Sequence, residues 1–126
     1  MTQLRLIKLW HLLGAAMVVF IIVMTLTPNP MPMPGKWTDK LFHFAGYFGV
    51  MAWYAQFIKY RLMTVILLVG LGVSLEFAQI MVNTRSFEWA DMSANILGVL
   101  LAAMIVRGVL AQLLIYFEAH VLKTKA

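Results

Sequence analysis

Cysteine is absent from the 126 residues, which excludes disulfide bonds and thiolate metal sites. Charge is also scarce. Asp, Glu, Lys and Arg make up 12% of the chain, against about 25% in soluble domains, and only five residues are acidic. There is no nucleophile motif, glycine-rich phosphate loop or metalloprotease signature, so the sequence names no reaction. The formal charge of +5 does not mark a nucleic-acid-binding face, because the basic residues are dispersed and mostly flank apolar runs. No nucleic-acid partner and no cofactor are expected.

What is present is apolar. Hydrophobic residues make up 63% of the chain and the mean hydropathy is +0.87, the balance of an integral membrane protein. At this length the chain forms one domain, 1–126. The expected fold class is an all-α membrane protein with four transmembrane helices, at about 9–26, 40–58, 62–82 and 91–117. The first apolar run follows Arg5 and Lys8. It exceeds the ~7 to 15 residues usual for a signal-peptide core, and no small-x-small cleavage site follows it before the prolines. It therefore reads as the first spanning helix.

Pro28, Pro30, Pro32 and Pro34 alternate with Asn29, Met31 and Met33, which favours an extended polyproline-like linker. Trp37 and, in the second polar loop, Trp89 are interface anchors. Thr38 and Asp39 are candidate caps for the second helix, and Asp91 for the fourth. The fourth apolar run is longer than one bilayer requires, which predicts tilt or a protruding inner end.

Orientation follows from the basic residues. With both termini cytoplasmic, the inner ends carry Arg5, Lys8, Lys59, Arg61, Arg107, Lys123 and Lys125, and the outer ends only Lys36, Lys40 and Arg85. This bias predicts a multi-pass protein with both termini inside. Asp39, His43, Glu76, Gln79, Arg85, Asp91 and Asn95 then all fall on the outer half. Asp39, His43 and Gly46 also match Asp91, Asn95 and Gly98 at a constant offset of 52 positions. A duplicated helical hairpin explains such a repeat.

Glu76 stands out because a carboxylate in a spanning segment costs roughly 2.5 to 3.5 kcal/mol. It needs a partner or a wet cavity, and Arg85 is the partner expected to loop back to it. Gln79 and Asn83 share its helix face. His43 and Asn95 each lie one turn inside their helices, on the face of their aspartates. His11 and His120, near the inner ends, read as structural. The candidate acid/base or orienting groups are Glu76, His43, Asp39 and Asp91, and the candidate ligand-binding groups are Lys40, Gln79, Arg85 and Asn95. Asp39, His43, Glu76 and Asp91 are also ligand types for a divalent cation, but no tight ligand spacing supports one and no metal is assigned.

Three segments carry a resemblance. They are Asp39-Lys40-Leu41-Phe42-His43-Phe44 with Tyr47, Glu76-Phe77-Ala78-Gln79, and Arg85-Ser86-Phe87-Glu88-Trp89-Ala90-Asp91 with Asn95 and Gly98. Together, over about 36–101, they resemble the VanZ-like family of small bacterial integral membrane proteins, named for a protein associated with teicoplanin resistance. The resemblance implies a bacterial cytoplasmic (inner) membrane protein with a cell-envelope or glycopeptide connection. It also implies functional status for Asp39, Lys40, His43, Glu76, Gln79, Arg85, Asp91 and Asn95.

Three functions stay open on the sequence. The first is a site for an anionic lipid or lipid-linked envelope precursor, since helices two and four present their N-termini outward and Lys40 with Arg85 would clamp a phosphate. The second is a membrane enzyme working on such a head group, with His43 or Glu76 as acid or base. The third is an accessory protein, homo-oligomeric in one form, whose polar cluster holds the helices together and whose glycines allow close packing. A small proton-coupled carrier using Glu76 is a further variant.

Overall fold

A computed structural model of the chain describes residues 6–27, 36–82, 88–107 and 110–122. Those residues are all-helical, with no strand among them. Helix α1 is Ile7–Leu26, α2 is Lys36–Tyr54, α3 is Arg61–Ala78, α4 is Trp89–Ile105 and α5 is Leu113–His120. Single 3₁₀ turns, Gln79–Met81 and Leu110–Gln112, follow α3 and precede α5.

Among the described residues, only α1 and α3 with its 3₁₀ extension are both long and apolar enough to cross a membrane, and α4 is a shorter apolar helix. Their side chains do not hide from the surroundings. Leu12, Val19, Phe20 and Val23 of α1 and Leu62, Met63, Ile66 and Leu67 of α3 are exposed. In water these rows would be an extended apolar patch of a size soluble monomers rarely show. In hydrocarbon they are matched to their solvent. The surface is compatible with a membrane protein.

The core lies between α2 and α4, the most closely packed pair. Tyr47, Val50 and Met51 of α2 meet Val99, Ala102 and Ala103 of α4 in one buried cluster, with Leu68 of α3 closing it. Gly98 permits this approach. A Cβ placed there would lie 2.5 Å from the Phe44 carbonyl oxygen and 3.0 Å from the Phe48 nitrogen. With residue 43 beside 95 and residues 44 and 48 beside 98, α2 and α4 run in the same direction, and α3, which comes between them in the chain, runs back mainly against α4.

Several expected boundaries need correction. The second helix occupies Lys36–Tyr54 rather than 40–58. Asp39 is therefore in its first turn and not at its cap, a position where negative charge is still favoured by the helix dipole. The fourth helix begins at Trp89 with Glu88 before it, so Asp91 is not a cap either. It also stops at Ile105 instead of running to Phe117. Arg61 explains the stop, since its Nη1 donates to the carbonyls of Ala103 (2.7 Å) and Val106 (2.8 Å), replacing partners a further turn would supply. The following segment folds back as α5, held where the Leu114 N–H donates to Gln56 Oε1 and the Leu6 N–H to Glu118 Oε1.

Candidate functional site

The parallel packing of α2 and α4 brings their two N-terminal turns side by side, and the chemistry collects there. Lys40 sits at the centre. Its ammonium meets Asp91 Oδ1 at 2.7 Å, as an ion pair rather than a well-directed hydrogen bond, and Asp39 Oδ2 at 3.7 Å, and it contacts Glu88 Oε2. Three carboxylates thus surround one ammonium. The Lys40 and Asp91 side chains are nearly buried, whereas those of Asp39 and Glu88 are 40% and 45% exposed and form a rim.

His43 lies one turn deeper. Its Nδ1 is 3.0 Å from Asn95 Oδ1. With the Asn95 carbonyl accepting, Nδ1 carries the proton and a neutral ring keeps its lone pair on Nε2. Nε2 faces Asp91 Oδ2 at 3.6 Å and Asp39 Oδ1 at 3.8 Å, both longer than a hydrogen bond. Each aspartate therefore offers one oxygen to Lys40 and turns the other toward the imidazole. Asn95 is itself fixed by close packing, because only Gly72 of α3 leaves space for it: a Cβ there would lie 3.2 Å from the Asn95 Cβ.

Glu76, in the last turn of α3, is 1% exposed. Its Oε1 accepts the backbone N–H of Glu88 at 2.8 Å, and its Oε2 has no hydrogen-bond partner among the described residues. The carboxylate thereby ties the end of α3 to the start of α4. Arg85, the partner expected from the sequence, lies outside the described residues, as does Asn83. Tyr47, nearly buried beside Gly72, leaves its hydroxyl without a partner among the described residues.

The structure thus gathers Asp39, Lys40, His43, Asp91 and Asn95 into one cluster, with Glu76 joined through Glu88. Gln79 points elsewhere. Its Nε2 donates to the Thr25 carbonyl of α1 at 3.0 Å, so it binds α3 to α1. Glu88, quoted in the third resembling segment but not among the candidate site groups, is the further member. The signal was its spacing of three from Asp91, one turn on the same helix face. Lys40, expected to hold a phosphate, is instead held by carboxylates.

Around this mouth the surface is apolar and aromatic. Trp37, Leu41, Phe42, Ile80, Met81 and Trp89 are exposed. The charged cluster is therefore a polar entry between apolar flanks, at the level of two tryptophans. No curated protein and no solved structure matches the chain. A family model described as VanZ/LLP1 matches residues 3–114, from the first helix to the start of α5, and the chain belongs to that family.

Proposed function

We propose that the protein spans the membrane four times through α1–α4, with both termini cytoplasmic, and binds the head group of an anionic lipid or lipid-linked envelope precursor at its outer end. The observation that carries this reading is the position of the cluster. Asp39, Lys40, His43, Glu88 and Asp91 lie beside exposed Trp37 and Trp89, and tryptophans favour the level of lipid head groups. A ligand arriving along the exposed faces of Phe42 and Ile80 would keep its chains in hydrocarbon and present its head to the cluster. The N-terminal ends of α2 and α4 favour negative groups there, and the acidic residues make the site selective for a head group that also brings hydroxyls, an amine or a counter-ion.

The test is the lipid content of the full chain purified in mild detergent, read by mass spectrometry. An anionic or polyprenyl-linked lipid should be enriched over the surrounding membrane, retained by Lys36→Ala and lost from Lys40→Met and Arg85→Ala. If all four proteins carry the same lipids as the bulk membrane, the reading fails. An envelope precursor as ligand also connects the protein to glycopeptide susceptibility, as the family resemblance implies. In cells, loss of the protein should then alter teicoplanin sensitivity.

The His43 geometry favours a second reading, a membrane enzyme. An imidazole held by Asn95 at one nitrogen and facing two carboxylates at the other is arranged for acid/base work. A head-group assay separates the two readings, because His43→Gln in an enzyme would keep the ligand and lose turnover.

A further inference from the structure

We propose that Asp39, His43 and Asp91 bind a divalent transition-metal cation, Zn²⁺ or Mn²⁺, between Asp39 Oδ1, His43 Nε2 and Asp91 Oδ2. The three residues each offer one ligand atom, and these atoms all lie within 4.8 Å of one another. The measured separations of 3.6 Å and 3.8 Å from Nε2 to the two oxygens are too long for hydrogen bonds. They are close to what a shared ion leaves, since two ligands at ~2.1 Å in tetrahedral geometry are roughly 3.4 Å apart. Across the set, whose atoms lie as far as 4.8 Å apart, a shift of about 1 Å in the half-exposed Asp39 side chain closes the difference.

Two further observations point to a ligand at this spot. The Asp91 side chain is 6% exposed, and its Oδ2 faces the imidazole Nε2 at 3.6 Å, beyond hydrogen-bond reach. A buried carboxylate oxygen aimed at an imidazole lone pair is repelled unless something positive lies between them. Asn95 supplies the other. Accepting from Nδ1, it fixes the ring in the tautomer that presents a lone pair at Nε2, the role outer partners of metal-bound histidines play. Lys40 meets the remaining oxygens of both aspartates, orienting them without occupying the same face. One nitrogen and two oxygens favour Zn²⁺ or Mn²⁺ over Ca²⁺ or Cu⁺, and the half-exposed Asp39 leaves an open side for water or a substrate oxygen.

Ion binding needs no lipid and stands apart from the head-group reading. If that reading also holds, the ion turns an acid-rich mouth into one that accepts a phosphate. The experiment uses the full chain in detergent, stripped with chelator and re-equilibrated by dialysis against Zn²⁺ or Mn²⁺, with bound metal counted by elemental analysis. Wild-type protein and Glu118→Gln, altered at the opposite end, should each hold one ion per chain. His43→Gln and the rim variant Asp39→Asn should hold less than a tenth of that while eluting as the same monodisperse species. Asn95→Ala should weaken binding by roughly 10- to 100-fold. Co²⁺ in the wild-type site should give visible absorption bands that His43→Gln lacks. Wild-type protein that takes up no ion, or the same amount as both ligand variants, overturns the proposal.

Discussion

The two ends of the helix bundle are both polar, and they treat polarity differently. At the end built from Trp10, Gln56, Arg61 and Glu118, buried polar atoms find partners. Glu118 Oε1 accepts from the Leu6 N–H and Trp10 Nε1, Gln56 uses both ends of its amide, and Arg61 takes two carbonyls. At the end built from Asp39, Lys40, His43, Glu76, Asp91 and Asn95, the buried atoms Tyr47 Oη, Glu76 Oε2 and Gln79 Oε1 lack partners among the described residues, and Asp91 Oδ1 has only its ion pair with Lys40. Folding stability alone would select the first arrangement, because an unsatisfied buried polar group costs about 1 to 3 kcal/mol. The second arrangement leaves donors and acceptors in reserve. One end behaves as glue and the other as a site.

The comparison breaks hardest at Gly98, which sets the distance between the helices whose tips form the site. Gly98→Val places a branched side chain where even a Cβ would lie 2.5 Å from the Phe44 carbonyl oxygen. Backbone cannot yield as a side chain can, so the loss should exceed the usual ~1 to 3 kcal/mol for overpacking. Little monodisperse protein should be recovered. Its sequence counterpart Gly46 faces the Ile21 side chain, at an ordinary 3.6 Å to Cδ1 and 3.7 Å to Cγ1, and Gly46→Ala should purify like wild type. Equal yields of the two variants would show that the α2–α4 contact does not position the site.

The next largest effect falls on function. Glu76→Gln keeps shape and hydrogen-bonding capacity, including acceptance from the Glu88 N–H, and removes the charge. The variant should fold, judged by detergent-resistant monodispersity, and lose bound lipid or activity. Unfolding that is rescued by Arg85→Gln in the same chain would instead identify a structural ion pair and move Glu76 into the category of glue. A fully active Glu76→Gln protein would remove it from the site.

Much of the site end was legible because its logic is local. Asp39 with His43, and Asp91 with Asn95, recur at helical spacing, so each pair had to share a face once its helix formed. The matched offset was read only as a sign of duplication, and the structure adds that two matched positions meet, since His43 lies against Asn95. The opposite end was not legible, because what shapes it is remote in sequence. The apolar run through Ile105 to Phe117 contains no proline, and only Arg107-Gly108 and Gln112 interrupt it, so periodicity extended the helix. The actual stop is imposed by Arg61, and the fold-back by Gln56 and Glu118. Nor could sequence decide between partners for Lys40. A phosphate and three carboxylates suit an ammonium equally well on paper, and only the parallel packing of α2 and α4 supplies the carboxylates.

At the glue end, Glu118→Gln should be felt as stability alone. The amide oxygen can still accept from Trp10 and Leu6, but the bonds lose their charge assistance, for a loss of about 1 kcal/mol. Thermal unfolding in detergent should shift down by a few degrees, while lipid and metal content stay at wild-type levels. A Glu118→Gln protein that kept its melting temperature and lost its lipid would reverse the assignment of the two ends.

The smallest expected change in stability is also the sharpest test of whether the missing partners matter. Tyr47 is nearly buried, packs beside Gly72 and places its hydroxyl where no described residue bonds to it. Tyr47→Phe removes only that hydroxyl. If the group is simply an unsatisfied atom, deleting it relieves a desolvation penalty and the protein should be unchanged or more stable, by up to about 1 kcal/mol. If the hydroxyl is held in reserve for a bound head group, the same variant should melt at or above the wild-type temperature yet release its lipid more readily on detergent washing. The two outcomes separate because a packing role moves stability and a ligand role moves retention. Marked destabilisation with lipid retained would show that the hydroxyl has a structural partner, and the contrast between the two ends would then rest on Glu76 Oε2 and Gln79 Oε1.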